Sequence, residues 1–342
     1  MTIFDENLVS MHQSFRDQEY AVCEKYCDLV LSVQSSNPEA LYCKGRVSEI
    51  LNHPEKAISC YSKLALLFPH EKEYLRLLEK VSSESQVNLR DVKERVEQAR
   101  LQIESFPGRP SLQFFDNSIG KGFVPAHPSN DQIAQKMVTG QVFDSPIVDI
   151  AKQYISLGSS VIDAGANLGQ MTMIFSSLTG SSGVVYSIEA DDYLTHVTQE
   201  SLKINNIYNV VQVCHAVHEF DDKALYFPVQ DFKTYHCYGA YGIDPHSQSG
   251  RQVKTKTIDS LNISVPVSFM KVDVQGSDLF AMRGAVRTIQ KYRFPIIFEY
   301  EEDLQEIFST TFQDYVDFVS SIKYRFLKTI DRINYLIVPQ EH

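Results

Sequence analysis

The stretch Val161-Ile-Asp-Ala-Gly-Ala-Asn-Leu-Gly-Gln170 decides the fold of the C-terminal part of the chain. Its apolar, β-branched start predicts a buried strand, and the pattern after Gly169 predicts a helix. In open α/β sheets, ligands bind outside the C-terminal strand ends, where the chain turns into a helix. Gly165 lets the backbone pass close to a ligand, and Gly169 lets the helix begin tightly. The stretch therefore predicts a ligand-binding turn.

This turn differs from a dinucleotide-binding loop in one residue. The G-x-G-x-x-G fingerprint has its second glycine where this chain has Asn167, and that glycine lets a pyrophosphate approach the backbone. Asp163 adds an anion at the strand end, which suits a cation. S-adenosylmethionine (SAM) carries an ammonium and a sulfonium group and no phosphate. The turn therefore predicts SAM as the cofactor and disfavours an NAD-dependent oxidoreductase.

A second signal lies at the end of the next predicted strand, in Ser187-Ile-Glu-Ala-Asp191. An acid about 20 residues after the glycine loop is placed to accept hydrogen bonds from ribose hydroxyls. We assign that role to Glu189 and expect Asp191 to be a helix N-cap. The end of the third strand should lie near the adenine. The predicted cofactor-binding residues are Asp163, Gly165, Asn167, Gly169, Glu189, Ala190, His215 and Ala216.

From about residue 145, short apolar runs alternate with helical patterns, which indicates a parallel sheet covered on both faces. The predicted strands are Ser160–Ala164, Val184–Glu189, Val210–His215, Ser268–Val274 and Pro295–Tyr300, with helices at 168–179, 192–205 and 277–292. The last two strands, Tyr324–Leu327 and Ile333–Val338, are too close for a crossover helix and must be antiparallel. We predict the Rossmann-like, seven-stranded, mostly parallel sheet of class I methyltransferases, with a C-terminal antiparallel strand.

The N-terminal region has a different period, because residues 6–82 show apolar residues only at helical spacing. A shift of 34 residues aligns two helical units, and the second, Pro38 to Pro69, resembles a tetratricopeptide repeat with Gly45, Ala57 and Tyr61 at its small and aromatic positions. An unrelated helical hairpin bundle is the alternative. In both cases the stacked helices leave a surface that suits a protein partner.

The chain is therefore expected to have three parts. Residues 1–82 form the tetratricopeptide-like domain, 83–108 a charged linker helix that Phe106-Pro-Gly-Arg-Pro110 ends, and 109–342 the α/β domain.

Composition narrows the possible partners and location. Lys and Arg number 32 against 43 Asp and Glu, a net charge of −11 that argues against nucleic acid or an anionic membrane surface. No apolar run is long enough for a membrane span. The acidic N-terminus does not resemble a secretory signal, and the six cysteines mostly occupy apolar helical positions that suit packed free thiols. We expect a cytoplasmic protein.

Several segments together resemble the FkbM family of methyltransferases. Besides the loop at 161–169, they are Thr257-Ile-Asp-Ser-Leu261, Met270-Lys-Val-Asp-Val-Gln-Gly-Ser-Asp278, Met282-Arg-Gly-Ala285, Ile296-Ile-Phe-Glu299 and Leu336-Ile-Val-Pro339. The resemblance covers roughly residues 140–340. It implies SAM-dependent methylation of a hydroxyl group on a sugar, a glycolipid or a polyketide-type natural product. The family usually has a glutamate where this chain has Gln275, and Asp278 replaces a longer acid, so we assign no base to position 275.

Methyl transfer to a hydroxyl needs a proton acceptor close to the reacting oxygen. Asp273 at the tip of the predicted fourth strand suits this role, with Lys271 on the same face of the strand. His236 is an alternative base, since its unperturbed pKa is near neutrality.

Other residues are expected to bind the acceptor. Glu299 at the fifth strand tip could bind acceptor hydroxyls, and Tyr238 and Tyr241 could provide stacking faces. Glu301 and Glu302 are expected to be solvated. A divalent metal held by Asp273 and Glu299 is conceivable, but we predict none.

Two functions from different classes remain open. The first is an active SAM-dependent O-methyltransferase whose helical repeat recruits a partner protein. The second is a tetratricopeptide-type scaffold with an inactive methyltransferase domain, which the substitution at Gln275 favours.

Overall fold

The computed structural model describes residues 3–33, 37–69, 71–126, 131–231, 237–238 and 240–341. The chain divides into two compact units, one of residues 1–113 and 125–127, the other of 114–124 and 128–342. The division into three parts that the sequence suggests stays a prediction. No helix in the described ranges combines the length and apolar character that crossing a bilayer requires.

The first unit contains successive helices, as the apolar spacing predicts. They are α1 (Ile3–Arg16), α2 (Tyr20–Val33), α3 (Pro38–Ile50), α4 (Pro54–Leu67), α5 (Lys72–Ser85) and α6 (Arg90–Ser105). At the start of α3, the Asn37 side chain accepts a hydrogen bond from the Ala40 backbone N–H, with Pro38 in the first turn. Such a cap supplies one of the acceptors that a helix N-terminus lacks.

Consecutive helices from α1 to α5 pack against each other, α1 also contacts α3, and α6 contacts α4. Gly45 of α3 lies against the ring of Tyr61 in α4, and a Cβ atom at position 45 would lie 2.5 Å from a ring carbon. Both Ala57 and Tyr61 are fully buried. The helical prediction is confirmed, whereas the tetratricopeptide assignment and its protein partner stay predictions.

The second unit is built on a seven-stranded sheet. Its strands are β3 (Ser160–Ala164), β4 (Val184–Ile188), β5 (Val210–Val213), β9 (Val267–Val272), β10 (Ile296–Glu299), β11 (Tyr324–Thr329) and β12 (Asn334–Pro339). The order across the sheet is β11-β12-β10-β9-β3-β4-β5. Only β12 runs antiparallel to its neighbours β10 and β11, and the remaining pairs are parallel. The predicted class I methyltransferase fold is confirmed.

Helices cover both faces of this sheet. They are α7 (Gln132–Val138), α8 (Ser145–Tyr154), α9 (Gln170–Thr179), α10 (Asp192–Ile204), α11 (Asp278–Arg283), α12 (Val286–Tyr292), α13 (Glu302–Phe308) and α14 (Phe312–Ser321). One apolar core joins α11, α12 and α14 to the sheet, and another joins α8 and α9 to it. Every residue of β3 is buried between these layers, which agrees with the apolar Val161 and Ile162 before Asp163.

The helix predicted over 277–292 is in fact two, α11 and α12. Between them lies Gly284, where a Cβ atom would come within 2.1 Å of the carbonyl oxygen of His218. This close approach of a distant chain segment explains the break, which the helical periodicity of the sequence does not indicate.

Two small sheets complete the unit. Between β5 and β9, the short strands β6 (Ala216–Val217), β7 (Ala224–Phe227) and β8 (Arg251–Lys256) form a sheet of order β6-β8-β7, followed by a 3-10 helix at Ile258–Leu261. The sequence patterns predicted no element for the hairpin of β1 (Leu112–Asn117) and β2 (Gly120–Pro125).

Gly165 and Gly158 give a matched test of the ligand-binding turn, because both have a left-handed φ, of 81° and 77°. A Cβ atom at 165 would lie 1.7 Å from the Asp273 carbonyl oxygen, whereas one at 158 would lie 3.4 Å from its nearest neighbour. We expect Gly158→Ala to cost about 1–2 kcal/mol of stability from backbone strain alone. Gly165→Ala should cost about 1–3 kcal/mol more, because the backbone of β9 must move.

Urea unfolding of both variants, followed by circular dichroism, measures this difference. Equal losses of stability would show that the turn and β9 are not in the close contact described.

Candidate active site

A cavity of about 730 Å³ opens at the C-terminal ends of the parallel strands. Such a position is typical of ligand sites in open α/β sheets, and the volume is within the usual range for small-molecule sites. Most of the residues that the sequence selected meet there. Those that line the cavity are Gly165, Asn167, Glu189, Ala190, His215, Ala216, Tyr238, Tyr241, Asp273 and Glu299.

Three selected residues lie outside this lining. Asp163 and Lys271 are buried in neighbouring strands, where they pair across the ladder between β3 and β9. Gly169 precedes α9 and faces the side chain of Thr198. His236, the alternative base, lies outside the described residues.

The turn after β3 adopts left-handed backbone conformations at Gly165, Asn167 and Gly169. Asparagine tolerates this conformation better than other residues with a Cβ atom. The Asn167 side chain also accepts a hydrogen bond from the Leu168 N–H at 2.7 Å, while its carbonyl oxygen accepts one from Thr198 at 3.2 Å. Asn167 is therefore part of the turn's own structure.

Glu189 joins this turn to the tip of β4. Its Oε2 accepts a hydrogen bond from the Asn167 N–H and its Oε1 one from the Asp191 N–H, both at 2.8 Å. Burial, with the charge of Asp191, raises the pKa of Glu189 to about 7, although these backbone donors oppose the rise. A carboxylate has about four acceptor positions, so lone pairs remain for hydroxyl groups of a ligand.

Asp191 is the N-cap of α10, as predicted. Its Oδ1 accepts hydrogen bonds from the backbone of Tyr193 and Leu194. Arg251 of β8 makes an ion pair with Asp191 at 3.3 Å and packs over the ring of Phe227. The small sheet is thus held against the tip of β4 beside the cavity.

Asp163 lies beneath the turn and is fully buried. Its Oδ2 accepts a hydrogen bond from Thr172 of α9 at 2.6 Å. Burial raises the pKa of Asp163, and the charge of Lys271 opposes that rise. Its direct contact with a cofactor stays a prediction, and its present contacts are with α9 and β9.

Asp273 occupies the centre of the cavity floor. Lys271 Nζ lies 2.9 Å from its Oδ2, with 6% of the lysine side chain exposed and 28% of the aspartate side chain. Gln275 donates to Oδ1 of Asp273 at 3.3 Å and to Oε2 of Glu299 at 3.5 Å. A left-handed φ of 52° at Gln275 turns the chain back so that its amide reaches both carboxyl groups.

The two carboxyl groups differ in protonation. Burial would favour the neutral form of Asp273, but the charge of Lys271 and its hydrogen bond hold the pKa of Asp273 below its ordinary value. Burial, with the charges of Asp273 and Asp278, raises the pKa of Glu299 to about 10. At neutral pH, Asp273 is therefore the anion and Glu299 carries a proton, which it donates in a hydrogen bond to Asp273. Two nearby carboxyl groups with separated pKa values are typical of acid–base sites.

Asp278 contributes to this separation from the first turn of α11. It is fully buried, and its Oδ1 accepts a long hydrogen bond of 3.4 Å from the backbone N–H of Glu299. Burial, with the charge of Asp273, raises the pKa of Asp278 to about 7.

Residues 163–326 match the family described as the methyltransferase FkbM domain. The match includes Asp163 and Gly165 of the turn, Glu189 at the tip of β4 and the Asp273 block. Over residues 163–326, the chain is therefore similar to FkbM methyltransferase domains, as its sequence motifs indicate.

SAM, the methyl donor of such a domain, fits the residues present. The turn after β3 has Asn167 in place of a phosphate-binding glycine, and Glu189 retains acceptor positions for ribose hydroxyls. The carboxylates around Asp273 suit a sulfonium and an ammonium group. Glu189 would hold the ribose, Gly165 and Asn167 the backbone side of the ligand, and Ala190 with Ala216 the adenine side. Among the described residues, no group of three His, Cys, Asp or Glu side chains is arranged to hold a metal ion.

Solved structures with weak likeness are mostly methyltransferases. FkbM from Methylobacillus flagellatus has 16% identity and a TM-score of 0.36, over 60% of this chain and 52% of that chain. A SAM-dependent O-methyltransferase from Thermotoga maritima has 15% identity and a TM-score of 0.36, over 66% of this chain and 76% of that chain. An rRNA methylase from Streptococcus thermophilus has 13% identity and a TM-score of 0.32, over 56% of this chain and 91% of that chain. Likenesses at this level identify no acceptor. No curated protein sequence matches the chain.

The sequence patterns did not find every charged residue of the cavity. Asp131, Asp144 and Asp331 line it without having been selected, and Glu301, expected to be solvated, is half-buried there. Asp144 precedes Ser145-Pro146, a pattern typical of a helix start. The local sequence therefore predicts a helix N-cap at Asp144 and not a cavity residue. Only the fold brings these loops together.

Removal of the Glu189 carboxylate tests the cofactor site. We expect Glu189→Ala to raise the Kd for SAM about tenfold or more, since hydrogen bonds to a charged group contribute about 1.5–3 kcal/mol each. Glu200→Ala is the control, because Glu200 lies on α10 and pairs with Lys203 at the surface. Isothermal titration measures both, with thermal unfolding to confirm that the variants fold. Unchanged affinity in Glu189→Ala would contradict the assigned role.

The proton on Glu299 makes a separate prediction about stability. Its pKa is about 10 in the folded protein against an ordinary 4.5. The folded state therefore binds more protons between these values, and the free energy of unfolding falls as pH rises through this range. Gln cannot lose a proton and can donate to Asp273 as the protonated acid does. We expect the stability of Glu299→Gln relative to the parent to be greater at about pH 8.5 than at about pH 5.5.

Thermal unfolding at the two pH values measures this difference. Glu306→Gln on the exposed side of α13 is the control and should show no such change. A difference that is the same at both pH values would mean that Glu299 is already ionised.

Proposed function

We propose that the protein transfers the methyl group of SAM to a hydroxyl oxygen of a sugar, a glycolipid or a natural-product acceptor. One observation carries the proposal: Asp273 is held as an anion at the floor of the cavity that also contains Glu189 and the turn after β3. A hydroxyl acceptor must lose a proton, and a fixed carboxylate beside the cofactor can accept it.

Bound SAM supplies an electrophilic methyl group on a sulfonium centre. Its transfer to the acceptor oxygen would leave the electron pair of the carbon–sulfur bond on sulfur, with Glu189 and the turn after β3 holding the cofactor. Asp273 accepts a hydrogen bond from the acceptor hydroxyl and takes its proton as positive charge develops on the oxygen. A carboxylate with a lowered pKa can take this proton, because the methylated oxonium is a far stronger acid than the alcohol. The proton then passes to solvent.

The neighbours of Asp273 keep it in place for this step. Lys271 fixes one oxygen at 2.9 Å, and Gln275 reaches the other. Protonated Glu299 donates to Asp273 and also accepts a hydrogen bond from Gln275 at its Oε2, so the three side chains hold one another in place. Compared with the glutamate that the FkbM family usually has, Gln275 lacks a titrating group and still donates hydrogen bonds. This arrangement supports an active enzyme over a scaffold with an inactive methyltransferase domain.

Two tyrosines of the cavity lining, Tyr238 and Tyr241, are fixed by contacts within the protein. Tyr241 stacks on Phe227 with ring centroids 4.7 Å apart, and its hydroxyl donates to the Pro228 carbonyl at 2.8 Å. The Tyr238 backbone N–H donates to Asp131 Oδ2 at 2.8 Å. Both contacts fix the loop. Because only 3% of Tyr238 and 9% of Tyr241 is exposed, their stacking on a sugar ring is proposed from their place in the cavity lining and not from free ring surface.

Asp273→Asn is the decisive variant for this function. It retains size and one acceptor oxygen but cannot take a proton, so we expect kcat to fall about 100-fold or more while SAM still binds. The measurement is transfer of a labelled methyl group from SAM to a panel of sugars, glycolipids and polyketide-type compounds. Exposed Glu302→Gln is the control.

Retained turnover in Asp273→Asn would contradict the role of Asp273. Binding of SAM without methyl transfer to any acceptor class would favour the scaffold.

A further inference from the structure

The part of the cavity around Asp273 is rich in carboxylates that the proposed chemistry does not use. Asp144 before α8, Glu301 after β10 and Asp331 before β12 all line it. They are close enough to interact, since the charge of Asp273 raises the pKa of both Asp144 and Glu301, and Asp331 adds to the effect at Asp144.

Cations near this group do not balance it. Lys271 is already paired with Asp273. Arg332 lines the cavity from an exposed position beside Asp331. Lys136 lies over the Phe143 ring, 5.0 Å from its centroid and outside the cavity lining, and its charge weakly opposes the rise in the pKa of Asp144. The region thus has an excess of negative charge once the Lys271–Asp273 pair is set aside and Glu299 is counted as neutral.

Asp144 is the least compensated of these groups. Its carboxylate makes no hydrogen bond or ion pair with any residue in the ranges that the structure describes, and it does not cap α8. Its backbone is left-handed, with φ 50° and ψ 44°. Burial, with the charges of Asp273 and Asp331, raises the pKa of Asp144 to about 6 despite Lys271, so it is ionised at mildly alkaline pH. By comparison, Asp331 Oδ1 accepts hydrogen bonds from the backbone of Ile333 and Asn334.

We infer that Asp144 determines acceptor specificity by charge, so that the enzyme methylates neutral or cationic acceptors and rejects those bearing phosphate or carboxylate. This inference rests on the proposed methyl transfer at Asp273. An anionic group within several ångströms of three carboxylates is repelled, and little solvent screens the repulsion inside a cavity. The excluded acceptors include RNA, uronates and sugar phosphates.

The cofactor provides a probe that needs no acceptor. SAM has a positive sulfonium centre where S-adenosylhomocysteine has a neutral sulfur, and the two are otherwise alike except for the methyl group. If Asp273 takes the proton of the acceptor, the sulfonium would lie in the part of the cavity that Asp273 and Asp144 both line. Asp144→Asn removes the charge and keeps a residue that tolerates the left-handed backbone. Asp149→Asn is the matched control, since Asp149 lies on the solvent face of α8 with 72% of its side chain exposed.

The first measurement is the ratio of the Kd for S-adenosylhomocysteine to the Kd for SAM, at about pH 8 and low salt. We expect Asp144→Asn to lower this ratio about threefold or more and Asp149→Asn to leave it unchanged. An unchanged ratio in Asp144→Asn would overturn the inference, because the carboxylate would then exert no charge effect at the reacting centre.

The second measurement uses labelled methyl transfer from SAM to acceptors matched except for charge: a neutral glycoside, its amino analogue, its uronate, its phosphate, and total RNA. Labelling confined to the neutral and amino compounds supports the inference, and comparable labelling of an anionic compound or RNA overturns it. If none of these compounds is labelled, the proposed function fails. The ratio of the Kd for S-adenosylhomocysteine to the Kd for SAM then tests the charge effect of Asp144 alone.

Discussion

The ion pair between Lys271 and Asp273 is the interaction on which the rest of the active site depends. Lys271 is nearly fully buried in the central strand β9, where an unpaired ammonium would be strongly unfavourable. Asp273 two residues later and Asp163 in the adjacent strand both stabilise its charge and raise its pKa above the ordinary value, against the effect of burial. Loss of one partner from a buried pair costs about 3–5 kcal/mol, so the pair fixes the end of β9 as well as its charge.

The remaining features follow from this fixed charge. Since Asp273 is held as an anion by Lys271, the next carboxyl group, Glu299 in β10, is more stable with a proton. The turn with left-handed Gln275 then joins the two groups through a neutral amide. Glu189 lies on the other side of the cavity, bound to backbone N–H groups of the turn after β3. Backbone hydrogen bonds thus organise the Glu189 side of the cavity, and charges organise the Asp273 side.

Much of the sheet could be predicted because its signals are local. The apolar run before Asp163, the glycine turn and the acid at Glu189 lie within short segments, and parallel topology brings their ends to one edge. The break at Gly284 could not be predicted, since its cause is the His218 carbonyl of another segment. Asp144 and Glu301 were missed for the same reason: each belongs to a loop whose own pattern indicates only a helix start or a solvated turn.

The proton arrangement also explains how Gln275 is compatible with catalysis. A glutamate at this position would add another carboxyl group within hydrogen-bonding distance of Asp273 and Glu299, and repulsion would raise the pKa values of all three. The amide instead donates to both groups and leaves their different protonation states intact. The proton acceptance that we propose for an ionised Asp273 therefore requires only that the group at 275 be a hydrogen-bond donor, which a glutamine always is and a glutamate is only when protonated.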